Sequence, residues 1–369
     1  MSDRLLVATR KGLFDLRRHG AGDWRIAATA FLGDPVTALL APGGEAPWFV
    51  ALDHGHFGVK LHRSADRGQQ WEECAVPAYP PRPDDQPEEI DPVRGEPIPW
   101  ALKRIWALAA AADDLWCGTL PGGLFRSGDG GDSWELNRPL WELPERRRWM
   151  GGGADWPGIH SILIDPRDPR RVTVAVSVGG VWHSDDGGAD WHPRCAGLWA
   201  AYMPPEQKHD PVAQDLHRVV ACPAAPDTLW AQHHNGIFHS GDGGRQWREI
   251  ERAGPSTFGF AVAVHPDDPQ TAWFVPATKD EKRYAPDGRV VVTRTRDGGA
   301  SFDVLTDGLP QQHAYDLVYR HALDVDGRGQ RLAFGSTTGS LWLSEDQGDR
   351  WQQISAQLPP IYALLFAGD

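Results

Sequence analysis

Apolar and polar residues alternate along most of this chain in short runs, the period of strands half-buried in a sheet rather than of helices. Ile159-His160-Ser161-Ile162-Leu163-Ile164 reads as one strand and Arg171 to Val178 as a second. A Gly179-Gly180 turn leads to a third around Val181-Trp182-His183, and a fourth starts at Trp191. Enrichment in Val, Ile and Trp, with glycine in the turns, predicts four antiparallel strands joined by hairpins.

Between the third and fourth strands lies Ser184-x-Asp186-x-Gly188-x-x-Trp191, and this eight-residue signature occurs six times. The other copies are Ser64-Asp66-Gly68-Trp71, Ser127-Asp129-Gly131-Trp134, Ser240-Asp242-Gly244-Trp247, Thr295-Asp297-Gly299-Phe302 and Ser344-Asp346-Gly348-Trp351. Successive copies start 63, 57, 56, 55 and 49 residues apart, a period that marks a repeated supersecondary unit. The residue types are those of a hairpin turn. Asp and Ser accept hydrogen bonds from the turn's own N–H groups, Gly takes a positive φ, and the aromatic buries a large face. The six aspartates are therefore read as structural, not as catalytic carboxylates or calcium ligands.

Strand counting gives seven units. Leu5 to Thr9, Gly12 to Arg17 and Trp24 to Ala28 supply the last three strands of a blade without a signature, and Ile361 to Phe366 is a lone strand after the final copy. The predicted fold is all-β: a single seven-bladed β-propeller over residues 1–369. Residues 361–366 join residues 4–29 in one blade, which closes the ring and covers its open edges.

Composition adjusts this picture little. The length would suit two or three domains, but the repeat argues for one. With a formal charge of −13 and no basic stripe, a nucleic-acid partner is excluded. MSDRLLVATRKGLF lacks a basic segment followed by an apolar one, and no apolar run approaches about 18 residues. A soluble, cytoplasmic protein with no membrane partner is expected. Cys74, Cys117, Cys195 and Cys222 form no close pair and read as free thiols.

On the six signatures, the chain resembles the BNR or Asp-box propellers. These include bacterial sialidases, xyloglucan-degrading glycosidases, the sortilin ectodomain and the photosystem II assembly factor. The opening Leu5-Leu6-Val7-Ala8-Thr9-Arg10-Lys11-Gly12-Leu13-Phe14 is similar to the start of a bacterial sialidase-like or glycosyl hydrolase-like group. The resemblance implies the propeller fold. Because the signature is structural, it carries no particular activity. Sialidases have six blades, a triad of arginines, a Tyr–Glu nucleophile pair and an acidic Asp; Arg10, Arg104 and Arg218 are candidates for the triad by location alone.

In a propeller the signature turns share one face, and the loops joining second to third strands and successive blades share the other, where a pocket belongs. Those loops carry Arg10-Lys11, Asp53-His54-Gly55-His56, His233-His234-Asn235 and an insertion over 277–290 with Arg283 and Tyr284. The starts of the first strands carry Lys103-Arg104, His160, His217-Arg218 and His313-Ala314-Tyr315. Long insertions at 75–103, 138–158 and 198–216 fall on the same face. They are rich in Trp and Tyr, Trp156 among them, as walls or lids would be. Seven of the 15 histidines thus map to one rim, whereas His62, His183, His239 and His265 do not.

The reading this supports is a hydrolase or lyase acting on a small anionic or sugar-like molecule at the channel mouth. His54, His217 and Tyr315 are the catalytic candidates, and Arg10, Lys11, Arg104, Arg218, Trp156 and Asn235 the substrate-binding ones. His56, His160, His233, His234 and His313 are candidate ligands of a divalent transition metal, since convergent neutral imidazoles make an open site. Two alternatives stand beside it: a non-catalytic binding or assembly propeller with a protein partner, and an exo-sialidase, for which Tyr315 and Tyr284 are the tyrosines to test.

Overall fold

The computed structural model describes residues 2–20, 22–85, 87–91, 94–111, 114–152 and 154–368. They form seven four-stranded antiparallel sheets, an all-β seven-bladed propeller. Blade 1 takes its first strand from the C-terminal end: Ile361–Phe366 pairs with Arg4–Thr9, which pairs in turn with Gly12–His19 and then Asp23–Ala30. Blades 2 to 7 follow in chain order. Their first strands are Val36–Leu40, Arg104–Ala111, Ile159–Asp165, Leu216–Cys222, Gly259–Val264 and Leu323–Val325.

Two compact units are distinguished: residues 1–46 with 217–369, and residues 47–216. In the first, Leu5, Val7, Trp273, Phe334, Trp342 and Leu364 belong to one buried cluster, so the closing strand contributes directly to the core. In the second, Trp116, Trp149, Ile159, Val174 and Trp182 do the same. Trp149 lies in the 138–158 insertion yet is fully buried, and its ring packs where a Cβ on Gly179 would come within 2.9 Å. That insertion is part of the core rather than a tail.

The signature turns behave as their residue types require. In every copy the Ser or Thr hydroxyl donates to the Asp carboxylate at 2.7–2.9 Å and accepts the glycine N–H at 2.6–3.0 Å. The glycine has φ between +81° and +94°, where a side chain would be strained. Hydroxyl donation from Ser133 and Ser301, with backbone N–H groups, holds the Asp129 and Asp297 carboxyls down at about 2. These aspartates are fixed as anions inside their own turns.

The turns also clasp neighbouring blades. Arg63, just before the blade 2 signature, donates to Gly130 O at 3.1 Å and to Asp132 at 2.7 Å in the blade 3 turn. Asn137 reaches Gly188 O at 2.8 Å in the blade 4 turn and accepts from Trp191 Nε1 at 2.9 Å. Arg248 donates to Gly298 O at 2.8 Å, while Arg294 and Trp273 both donate to Gln347 O, at 2.8 and 2.9 Å. Arg18 and Trp24 of blade 1 hold Glu345 in the blade 7 turn at 2.6 and 3.1 Å.

Candidate functional site

A β-bulge near the start of the first strand aims the side chains of the candidate site. The register slips between Ile105 and Ala107, between Ile159 and Ser161, and between Gly259 and Ala261. The extra residues are Trp106, His160 and Phe260. A bulge leaves its extra residue out of the ladder and re-aims it, which is why bulges recur beside functional sites.

Within the 1–46/217–369 unit, Phe260 is the centre of a cationic, aromatic cluster. The His217 ring stacks on it at 4.4 Å and 16°, Phe258 meets it edge-on at 5.4 Å, and Tyr319 at 5.6 Å. The guanidiniums of Arg283 and Arg320 lie 5.4 and 5.5 Å from its centroid. His234 completes the group, edge-to-face with His217 at 5.7 Å and with Phe258 at 5.9 Å. His217 Nδ1 donates to Gly259 O at 2.6 Å, since a carbonyl can only accept. In the neutral ring Nε2 is therefore the basic nitrogen. His217 and His234 each offer a nitrogen within 4.8 Å of the other, the spacing of two ligands on one transition metal.

In the same unit, Arg218 and Asp324 face one another electrostatically. Both are partly reached by solvent but crowded by protein. Burial pulls the Arg218 guanidinium down to about 10, against the opposing pull of Asp324, and burial pushes the Asp324 carboxyl up to about 7. Asp324 Oδ2 also accepts the Phe366 N–H at 2.8 Å.

The other candidates from the sequence have separate surroundings. His233 is fully buried beside Phe238, and its Nδ1 accepts the Asn235 N–H at 3.1 Å, so its proton sits on Nε2. Tyr315 is exposed and 6.0 Å from Tyr284, and His313 is exposed with φ +53°. Arg10 and Lys11 are exposed in the blade 1 turn. In the 47–216 unit, His54 opens a short helical turn at Gly55–Phe57, and exposed His56 packs on Phe57 at 4.0 Å. His160 is buried, bonded through Nδ1 to Ser161 at 2.9 Å and edge-on to Trp106 at 5.6 Å. Trp156 receives the Lys103 ammonium at 6.0 Å. Arg104 is paired with Asp53 at 3.1 Å. Each of these two arginines thus faces a carboxylate within its own unit, Arg104 facing Asp53 and Arg218 facing Asp324.

His183, set apart from the rim by the sequence reading, lies with Asp185 and His192 in a group of metal-ligand spacing. Its donors are already engaged. His183 bonds Thr173 at 2.7 Å and Asp185 at 3.0 Å, Arg171 reaches Asp185 at 3.2 Å, and Arg194 donates to His192 at 3.0 Å. Two guanidiniums around the one carboxylate oppose a cation there.

Phe258, Phe260, Tyr319, Arg320 and Asp324 were not singled out by sequence reasoning. Gly259 before an aromatic at a strand start was the available signal, since glycine in a strand marks a bulge. Within the long insertions, Gln86, Pro92, Val93 and Gly153 lie outside the described residues.

No family model matches the chain. It is 26% identical over 270 residues to an oligoxyloglucan-reducing end-specific xyloglucanase from Emericella nidulans; the match covers 67% of this chain and 31% of that protein. The chain thus spans about a third of the length of that curated relative. Among solved structures, an ancestral GH74 enzyme superposes with a TM-score of 0.58 at 18% identity, covering 87% of this chain and 38% of that one. YCF48 from Cyanidioschyzon merolae gives 0.56 at 14%, covering 88% and 87%, and YCF48 bound to D1 peptide gives 0.53 at 13%, covering 86% and 81%. At these identities the solved structures share the fold alone.

Proposed function

We propose that this propeller is a hydrolase of a small anionic or sugar-like molecule and that the cluster around Phe260 is its site. The observation that carries the reading is one ring, Phe260, with His217 stacked on it and Arg283 and Arg320 beside it. Arg320 would hold the anionic group of the substrate, with Arg283, itself paired with Asp280 at 2.5 Å, beside it. His217, its tautomer fixed by Gly259, would act through Nε2 as general base toward water. With His234 it would equally hold a divalent transition metal, which when bound supplies an activated water. The partial similarity to a xyloglucanase supports hydrolysis as the reaction class.

Turnover of 4-nitrophenyl esters and glycosides, each with and without a carboxylate, tests this. The carboxylate-bearing members should be cleaved. His217→Ala should lower kcat about 100-fold or more, and Arg320→Ala should mainly raise KM. Activity that survives chelation assigns His217 as a metal-free base; activity restored only by added zinc or manganese assigns the metal. Turnover indifferent to His217→Ala overturns the site, and tight binding with no turnover of any member favours the binding-propeller alternative.

A further inference from the structure

The 47–216 unit holds a built cavity, remote in sequence from the Phe260 cluster. It encloses about 160 Å³ between the 75–103 and 138–158 insertions, with Trp100, Trp141, Pro81, Arg138, Glu142 and Arg147 on its walls. Trp100 and Trp141 meet at 80° with centroids 5.3 Å apart, so one face and one edge form an aromatic corner. Both indoles are fixed. Trp100 Nε1 donates to Pro80 O at 2.6 Å. Arg146, 6% exposed, stacks on Trp141 at 3.8 Å and is clamped by both oxygens of Glu89, one at 2.9 Å. Side-chain freedom that a ligand would otherwise have to remove is already gone.

We propose that this cleft binds a single six-membered ring bearing a carboxylate. The size argues for one ring: a cavity near 150 Å³ is known to admit benzene. The walls argue for a flat ligand, because indole and proline faces stack on arenes and on the C–H faces of sugars alike. The charge argues for an anion. Arg146 is neutralised by Glu89, and Arg138 is offset by Glu142 at 3.3 Å, but exposed Arg147 makes no ion pair among the described residues. A net positive cleft on a chain of charge −13 selects an acid over its neutral analogue. An aromatic acid and a uronic acid share this chemistry.

Calorimetric titration of the whole chain with sodium benzoate, benzyl alcohol, sodium glucuronate and methyl glucoside separates the cases. At least one carboxylate should bind more tightly than its neutral counterpart, and which one identifies the source. Arg147→Glu, at an exposed position that leaves the fold intact, should abolish the preference for the acid; Arg147→Lys should retain part of it. Trp100→Ala should weaken binding about tenfold or more, while His217→Ala should leave it unchanged, which keeps this site distinct from the proposed hydrolytic one. No measurable binding of either acid, or an Arg147→Glu variant that keeps the wild-type preference for the acid, overturns the proposal.

Discussion

Asp324 shows how one side chain can tune the chain to pH. Burial raises its carboxyl from an ordinary 3.8 to about 7, so the folded chain holds that proton more tightly than the unfolded chain does. The resulting stabilisation is complete below the unfolded value and is lost as pH rises through 7. Asp324→Asn keeps an oxygen for the Phe366 N–H but does not titrate. Across pH 5 to 8 the variant's melting temperature should therefore rise relative to wild type, with Arg218 charged throughout because its own value stays about 10. A constant offset over that range would show that Asp324 is ionised in the fold. At this scale the sequence was only partly legible. His217, Arg218 and His234 were read as rim residues from strand starts and turns. Phe260 and Arg320 were not, because an aromatic beside a glycine at a strand start looks like ordinary core and only the bulge turns it toward His217.

The signature turn is the element on which most of the architecture depends, and it has two separable parts. Its internal part is the hydroxyl–carboxylate–N–H network. Ser184→Ala removes the acceptor for Gly188 N–H and the donor to Asp186, and should cost about 1–3 kcal/mol in urea unfolding. Its external part is the clasp. Arg294, 3% exposed, bonds Gln347 O and Asp349 of the next turn and Asp303 of its own blade, so Arg294→Met should cost about 3 kcal/mol, with Asp349 remaining near solvent. If the methionine variant unfolds at the wild-type midpoint, the clasp contributes nothing to the fold. The internal part was legible, because turn residues act on their own backbone. The clasp was not: an arginine before the signature looks like any polar residue of an outer strand until the next blade's carbonyl is placed beside it.

For the molecule as a whole, blade count and closure followed from strands and signatures alone, since the first three strands lacked a partner and the last strand lacked a sheet. Pairing of Leu5 with Phe366 and Val7 with Leu364 confirms that closure. A chain ended after Pro360 should lose its cooperative thermal transition, because Arg4–Thr9 would become an open edge and Ile361, Leu364 and Phe366 would leave the core; an unchanged melting temperature would show that the closing strand is dispensable. The same pairing bears on how the protein is made. Strand Arg4–Thr9 emerges from the ribosome some 350 residues ahead of its partner, which at about 5–20 residues per second is a wait of about 20–70 s. Through that interval a run of Leu, Leu, Val and Ala stands with one edge unsatisfied. An edge left open for that long is a template for pairing with other chains, and that exposure is the cost of completing the first blade with a strand some 350 residues further on.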